Sequence, residues 1–400
     1  MGNSVTDPTV ISKCLSFLNV LSYRSILHDH RTQKLTTGKA IALFVEAQLQ
    51  KRTSLSQIAD HLASSQTLQR AIDLESISDA QLSRKLNALD TDILQALFLE
   101  LVHRLHETHS KKQGIPGIGK VRVIDSSEVL LPPLLGQWTK LTSRRNVVKL
   151  HTQIVIEDAG TVYPERVIAT TAKVSDGEIS VELVKPDDAI YVMDRGYVNY
   201  RHYKRWSDDK ARFVGRIRDN NRVEVICERP LKDDAMIQRD ADVIVRFQNE
   251  QRDMVPVRLR LVEYEDDKGR WFRLLTNVWD LPAEKISEIY RYRWQIELFF
   301  KWIKQHLNLV KLHSSKPESI WNQIFLALIS YCLVLLVHQT LVTKLTPWEV
   351  QSKLKFYVTA KWSEFVEVIH KPPRRKSKGR RKVTEEQPRA GVKEVRIVVR

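Results

Sequence analysis

Residues 289–307 read IYRYRWQIELFFKWIKQHL, and their spacing predicts an amphipathic helix. Projected at about 100° per residue, Tyr290, Arg293, Glu297 and Lys304 fall within an arc of roughly 60°. Ile289, Ile296, Phe299, Phe300, Ile303 and Leu307 occupy a separate arc, roughly 100° wide or a little more. One face can therefore be buried while the other presents a carboxylate between two cations, with a phenol one turn upstream. Taken alone, the stripe also fits an ordinary surface helix carrying Arg–Glu and Glu–Lys pairs. Partners elsewhere in the chain have to decide.

Upstream, between about Asp219 and Asp280, the pattern is strand after strand: RVEVICE, DVIVRFQ, VPVRLRLVEYE and GRWFRLLTNVW, with Asp266–Gly269 as a hairpin turn between the last two. Before that block, VRVID ends at Asp125, NVVKLHTQIVIE covers 146–157, and a third strand covers 162–170. SDGEISVELV reads as a capped helix, AIYVMD as a buried strand closed by Arg195-Gly196-Tyr197, YRHYKRW as a helix and RFVGRI as a fifth strand. Three strands, a helix, a strand, a helix and a strand suit an α/β sheet with a ribonuclease-H-like core. In such a sheet the strands ending at Asp125 and Asp194 are parallel neighbours, and Glu297 lies over their ends. Oxygen-only ligands suit Mg²⁺ or Mn²⁺, and no soft-ligand cluster suits zinc. Each Asp alone reads equally as a turn or cap residue.

Residues 1 to about 112 read as helices, with Thr36 or Thr37, Thr53 or Ser54, and Ser78 as N-caps. The Ser78-capped helix carries Gln81, Arg84 and Lys85, an arrangement shared by helix-turn-helix readers and by small helical bundles. QGIPGIGK (113–120) marks a domain boundary. After the 289–307 stretch, IFLALISYCLVLLV (324–337) is the most apolar run; it is short for a membrane span and reads as a core helix. PWEVQSKLKFYVTAKWSEFVEVI continues as helix, and KPPRRKSKGRRK (371–382) is a dense basic tail expected to be disordered.

The 400 residues carry a formal net charge of +16, which points to a polyanionic partner: nucleic acid or an anionic membrane surface. Three distant cysteines, Cys14, Cys227 and Cys332, form neither a disulfide framework nor a zinc pair, and imply a reducing cytosolic setting. No signal peptide is seen.

Together, Asp125 in IDSS, Asp194 in MDRGY, and Tyr290, Arg293, Glu297 and Lys304 in their spacing resemble the DDE transposases of bacterial insertion sequences, in particular the Tyr-Arg-Glu-Lys signature of the insertion sequence 4 family. RWQIELFFKWIKQHL and VKLHTQIV are similar to that family too, and the resemblance covers roughly residues 10 to 340. It implies that Asp125, Asp194 and Glu297 hold two Mg²⁺ (or Mn²⁺) ions. It implies that Arg293 and Lys304 contact phosphates of the transposon end, and Tyr290 the terminal phosphate region. Members that use a DNA hairpin intermediate stack a flipped base on a tryptophan of the β block; Trp271 is the candidate, Trp279 competes, and a core role fits either. Arg195 reads as a phosphate contact beside Asp194. Lys149 and His151, on one face of the second strand, fit DNA contact or a structural role alike.

The expected architecture is α/β. A helical N-terminal DNA-binding domain (1–115) precedes the first part of the ribonuclease-H-like core (120–218). An all-β insertion (219–283) interrupts it, and a catalytic helix (284–310) completes it; a helical C-terminal region (311–370) and a basic tail (371–400) follow. The expected protein is a cytoplasmic, nucleoid-associated cut-and-paste transposase acting on double-stranded inverted-repeat ends and target DNA, as a homodimer in a synaptic complex, with no membrane partner. Two rivals stand beside it: a metal-dependent nuclease on the same core that never joins ends, and a catalytically silent DNA-binding repressor.

Overall fold

The structure is a computed structural model that describes residues 7–27, 29–109, 114–131, 139–142, 145–156, 162–231, 236–306, 314 and 316–372. The basic tail and Leu307 lie outside the described residues. Six helices open the chain: α1 (Val10–Ser16), α2 (Thr37–Leu49), α3 (Leu55–Ser64), α4 (Gln66–Ile72), α5 (Asp79–Ala88) and α6 (Thr91–His109). Thr36, Ser54 and Ser78 cap α2, α3 and α5 as the sequence predicts, and Gln81 completes a capping box on α5. The helical reading of the N-terminal residues does not hold at 17–27, which form turns: the Asp29 carboxylate takes the Ser25 and Thr37 N–H groups and holds this segment against α2.

The middle of the chain contains β1 (Val121–Leu131), β2 (Lys140–Thr142), β3 (Arg145–Ile156), β4 (Val162–Thr171), α7 (Asp176–Leu183), β5 (Ile190–Met193), α8 (Tyr200–Asp208) and β6 (Arg212–Arg216). β7 (Glu224–Glu228), β8 (Ile237–Gln248), β9 (Met254–Glu265) and β10 (Trp271–Thr276) come next. The last described elements are helices α9 (Ala283–Arg291), α10 (Trp294–His306), α11 (Pro317–Leu341), α12 (Pro347–Tyr357) and α13 (Trp362–His370). The described strands form one sheet in the order β2-β3-β1-β5-β6-β10-β9-β8-β7, with β4 also paired to β3. β1, β5 and β6 are parallel; on one side β3 pairs antiparallel with β1, and β4 antiparallel with β3. The residues expected to form an all-β insertion do fold as strands. They extend the core sheet, because β10 pairs antiparallel with β6 through Leu274↔Arg216 to Thr276↔Val214. The turn between β9 and β10 is the Asp266–Gly269 stretch, where Gly269 has φ +71° and donates its N–H to the Asp266 carbonyl.

Side chains alternate between the two faces of a strand, so each face has its own core. Val121, Val123, Ile190, Val192 and Val214 pack with the helices contributed by both ends of the chain, α6, α10 and α11 among them. Ile124, Tyr191, Met193 and Phe213 pack with α7 and α8 on the opposite face. Gly215 on β6 is required there: a Cβ would lie 2.1 Å from the Tyr203 hydroxyl, whose ring packs 4.4 Å from that of Phe213. The apolar run at 324–337 is part of α11, and 94% of that helix's most apolar window is buried inside the protein. Its partners are α6 and α2, whose buried faces come from far upstream in the chain.

The 289–307 stretch is two helices rather than one. α9 ends at Arg291, and the N–H groups of Tyr292, Arg293, Gln295 and Ile296 each reach back three residues, so the backbone tightens before α10 begins at Trp294. The expected apolar side holds across the break: Ile289, Ile296, Phe299, Phe300 and Ile303 are buried. The expected polar stripe does not stay on one helix face, because a constant angle per residue does not carry through the turn at 292–293.

Candidate active site

The parallel pairing of β1 with β5 runs from Val121↔Ile190 to Ile124↔Met193. The next residues on the two strands are Asp125 and Asp194. Register alone therefore brings them side by side, and alternation points both to the face that carries Val123 and Val192. β1 does not end at Asp125; it continues to Leu131 against β3, whereas β5 stops at Met193. Asp194 then turns the chain: its Oδ1 accepts the Gly196 N–H at 2.8 Å, heading a 3-10 turn over Arg195–Tyr197. A Cβ at 196 would sit 3.0 Å from that oxygen.

α10 covers the same face. Ile296, Phe299 and Ile303 are buried beneath it, which places Glu297 in its first turn facing the strand ends. Arg293, in the tightened turn, joins the two acids: its Nη1 lies 3.4 Å from Asp125 Oδ2 and its Nη2 donates to Glu297 Oε1. Asp125, Ser126, Ser127 and Glu297 line an open groove with Phe300, Lys301 and Lys304. The structure thus gathers Asp125, Glu297, Arg293 and Lys304, with Asp194 next to Asp125. Lys301, one helical turn beyond Glu297, was readable from its spacing but was not singled out.

The electrostatics are uneven. Burial, and then the neighbouring Asp194, push Asp125 up to about 7, against the lowering effects of the Ser126 N–H and Arg293. Carboxylates brought together with too little positive charge behave in this way, and they suit a hard divalent cation. Among the described residues no three His, Cys, Asp or Glu side chains already converge in ligand geometry. Arg293 supplies the countercharge between Asp125 and Glu297. The all-oxygen donor set of Asp125, Asp194 and Glu297 is of the kind that a hard divalent cation takes.

Tyr290 is set apart from the groove. It is buried on α9, its ring 5.9 Å from that of Phe272, and burial raises its phenol above the usual range. It lines a second, adjoining pocket with Arg216, Arg270, Arg293 and the exposed Trp294; stacked Tyr264 and Phe272 rings, 4.9 Å apart, also contribute. Sequence reasoning passed over Trp294, although it stands between Arg293 and Glu297. Trp271 opens β10 and is 41% exposed, while Trp279 is 38% exposed between the Arg229 and Arg258 guanidiniums, so neither is a core tryptophan. Arg195 is exposed beside Asp194.

Other sequence candidates prove internal. Lys85 donates to Asp29 at 2.5 Å in a buried pair, leaving Gln81 and Arg84 as the exposed members of that trio. Lys149 and His151 face Asp176 at 3.0 and 3.3 Å, and His151 is fully buried. Asp176 itself was missed; the sequence showed it only as the first residue after a Ser cap.

Comparison with known proteins gives the family. The sequence pattern of the family described as transposase DDE domain matches residues 116–333. A putative transposase, y4zB, of Sinorhizobium fredii is 31% identical over 242 residues, covering 60% of this chain and 67% of the relative. A probable transposase for insertion sequence element IS5377 of Geobacillus stearothermophilus is 28% identical over 254 residues, covering 63% of this chain and 65% of that protein. The transposase InsG for insertion sequence element IS4 of Escherichia coli is 28% identical over 179 residues, 41% of this chain and 38% of InsG. The matched segment contains Asp125, Asp194 and Glu297, and the chain belongs to the DDE transposase family.

Proposed function

We propose that this chain is a cut-and-paste transposase of the insertion sequence 4 type, acting on double-stranded inverted-repeat ends and target DNA. The observation that carries the reading is the register of β1 and β5. It makes Asp125 and Asp194 neighbours on the one face where α10 presents Glu297. The strand order β4-β3-β1-β5-β6, in which β3 alone runs against the other four, supports a ribonuclease-H-like core.

Asp125, Asp194 and Glu297 would hold the divalent ions, two in this reading. Bound there, Mg²⁺ or Mn²⁺ supplies Lewis-acid activation of an attacking hydroxyl and stabilisation of the leaving oxygen. The protein's own part is placement and charge. Lys301 and Lys304 line the groove and attract the phosphate backbone of the cut strand. Arg293 holds the acids in place and contacts phosphate at the element end. Tyr290 shapes the adjoining pocket, where Trp294 offers a surface for a displaced base; Trp271, exposed at the start of β10, lies outside that pocket's lining. Arg195 contacts phosphate from the Asp194 side. Both hydrolysis at the ends and joining of 3′-hydroxyls to target DNA are displacements at phosphorus, and neither requires a covalent protein nucleophile. The exposed Gln81 and Arg84, in the helical domain, are the residues proposed to contact the repeat. Joining two ends calls for a homodimer in the synaptic complex.

The test is cleavage and strand transfer on a labelled end duplex in Mg²⁺, comparing the wild type with Glu297→Gln and Lys304→Ala. Wild type should cut and join, Glu297→Gln should do neither, and Lys304→Ala should fold normally but hold the cut end weakly. Cutting by Glu297→Gln would overturn the site, and cutting without joining would point to a nuclease.

A further inference from the structure

Behind the two aspartates, on the α7 side of the sheet, lies a charged cluster that the reaction described above does not use. Asp176 is the first residue of α7, after the Ser175 cap. Its carboxylate is 3.0 Å from Lys149 Nζ and 3.3 Å from His151 Nδ1, and the Ser126 side chain lies close enough to help hold it ionised. His151 is in turn held 2.9 Å from the Thr170 hydroxyl on β4. Ser126 is the residue whose N–H binds Asp125 Oδ1, at 2.7 Å. On the other side, a Cβ built on Gly196 would lie 3.8 Å from Asp176 Oδ2 and 3.0 Å from Asp194 Oδ1, so Asp176 also abuts the turn that Asp194 heads. One side chain thus touches the neighbour of each catalytic aspartate while facing β3 through Lys149 and His151.

We infer that Asp176 is a positioning residue: anchored by Lys149 and His151, it fixes Ser126 and the 194–196 turn, and so sets the spacing at which Asp125 and Asp194 meet a divalent cation. Tyr197, buried at the end of the 195–197 turn, reaches the same place from this face, so Asp176 shares the space behind the strand ends with its phenol. The carboxylate is held ionised: burial alone would raise it, but His151, Ser126 and Lys149 keep it down at about 2. Groups that orient metal ligands from behind characteristically alter metal affinity or activity by about 10–100-fold when removed.

The inference rests on the proposed metal site, so the test must separate the two. Mn²⁺ binding to the full chain with a bound end duplex is measured by electron paramagnetic resonance, beside thermal unfolding. The variants are Asp176→Ala, the charge-balanced pair Asp176→Asn with Lys149→Met, and Asp125→Asn as reference. The expected result is a Mn²⁺ dissociation constant raised about tenfold or more in both Asp176 variants. A residue that only stabilised the fold would lower the unfolding midpoint and leave the Mn²⁺ constant of the folded protein unchanged. If Asp176→Ala fails to fold, the charge-balanced pair decides. Wild-type Mn²⁺ affinity in that pair, with weakened binding in Asp125→Asn, would overturn the positioning role alone. Wild-type affinity in Asp125→Asn would overturn the metal site and the inference with it.

Discussion

Strand β1 carries two ionic sites three residues apart, and they are built in opposite ways. Around Arg122 every charge is answered. Its Nε and Nη2 donate to Glu165 at 2.6 and 3.1 Å and its Nη1 donates to Asp187 at 2.5 Å; Glu165 also accepts from Gln153 and pairs with His106 Nε2. Although burial alone would raise it, the hydrogen bonds from His106 and Arg122 bring Glu165 down to about 2. Around Asp125 the balance is left short, and the carboxyl rises to about 7. A fold that can neutralise one acid so fully, against a guanidinium three residues away on β1, has left the other under-compensated at the proposed cation site. Perturbed groups of this kind mark functional sites, whereas satisfied networks mark structural ones.

The comparison can be broken most directly by exchanging the two sites' sensitivities. Asp125→Asn should reduce end cleavage on the order of a thousandfold while leaving the unfolding midpoint unchanged or higher, because it removes a buried like-charge contact. A clear fall in stability would make Asp125 structural. Arg122→Met should do the reverse, costing about 3 kcal/mol in denaturant unfolding because the largely buried Glu165 keeps only His106 and Gln153 as partners, with turnover of the folded fraction preserved.

A pH series sharpens the contrast without mutation, since the two acids carry opposite signs. Glu165 lies lower in the folded than in the unfolded chain, so its stabilisation is present above about pH 4.5 and is lost as pH falls toward about 2. Asp125 lies higher when folded, so its contribution is present below about pH 4 and is lost as pH rises through about 7. Unfolding midpoints should therefore fall at both ends of the range. Mg²⁺ or Mn²⁺ should recover stability near pH 8 but not near pH 3, and a recovery that ignored pH would sever the link to Asp125. The smallest effect is expected of Arg195→Ala: stability within about 0.5 kcal/mol, and a salt dependence of DNA binding shallower by about one unit of slope. An unchanged slope would remove Arg195 from the phosphate contacts.

The fold was legible where local pattern and tertiary demand agree. The strands around Asp125 and Asp194, the capped helices and the 266–269 turn all announce themselves through period and turn chemistry. The three acids were legible because strand order predicts which ends meet. Two features were not. The break at 292–293 contains neither Pro nor Gly; it is recorded only in backbone hydrogen bonds and in the reach of Arg293 to Asp125 and Glu297. Asp176 was invisible because its partners, Lys149, His151 and Ser126, come from β3 and β1, and only the folded sheet brings them behind the site.

The packing of α11 against α2 and α6 also sets a timetable. During synthesis the early helices emerge more than two hundred residues before the apolar partner that covers them. The sheet can pair while they wait, but the sides of α2 and α6 that α11 covers stay open until 317–341 has left the ribosome. Contacts of such sequence separation form slowly. The nascent chain should therefore have to be shielded through most of its translation, and a prematurely terminated product would present those apolar sides to chaperones and proteases.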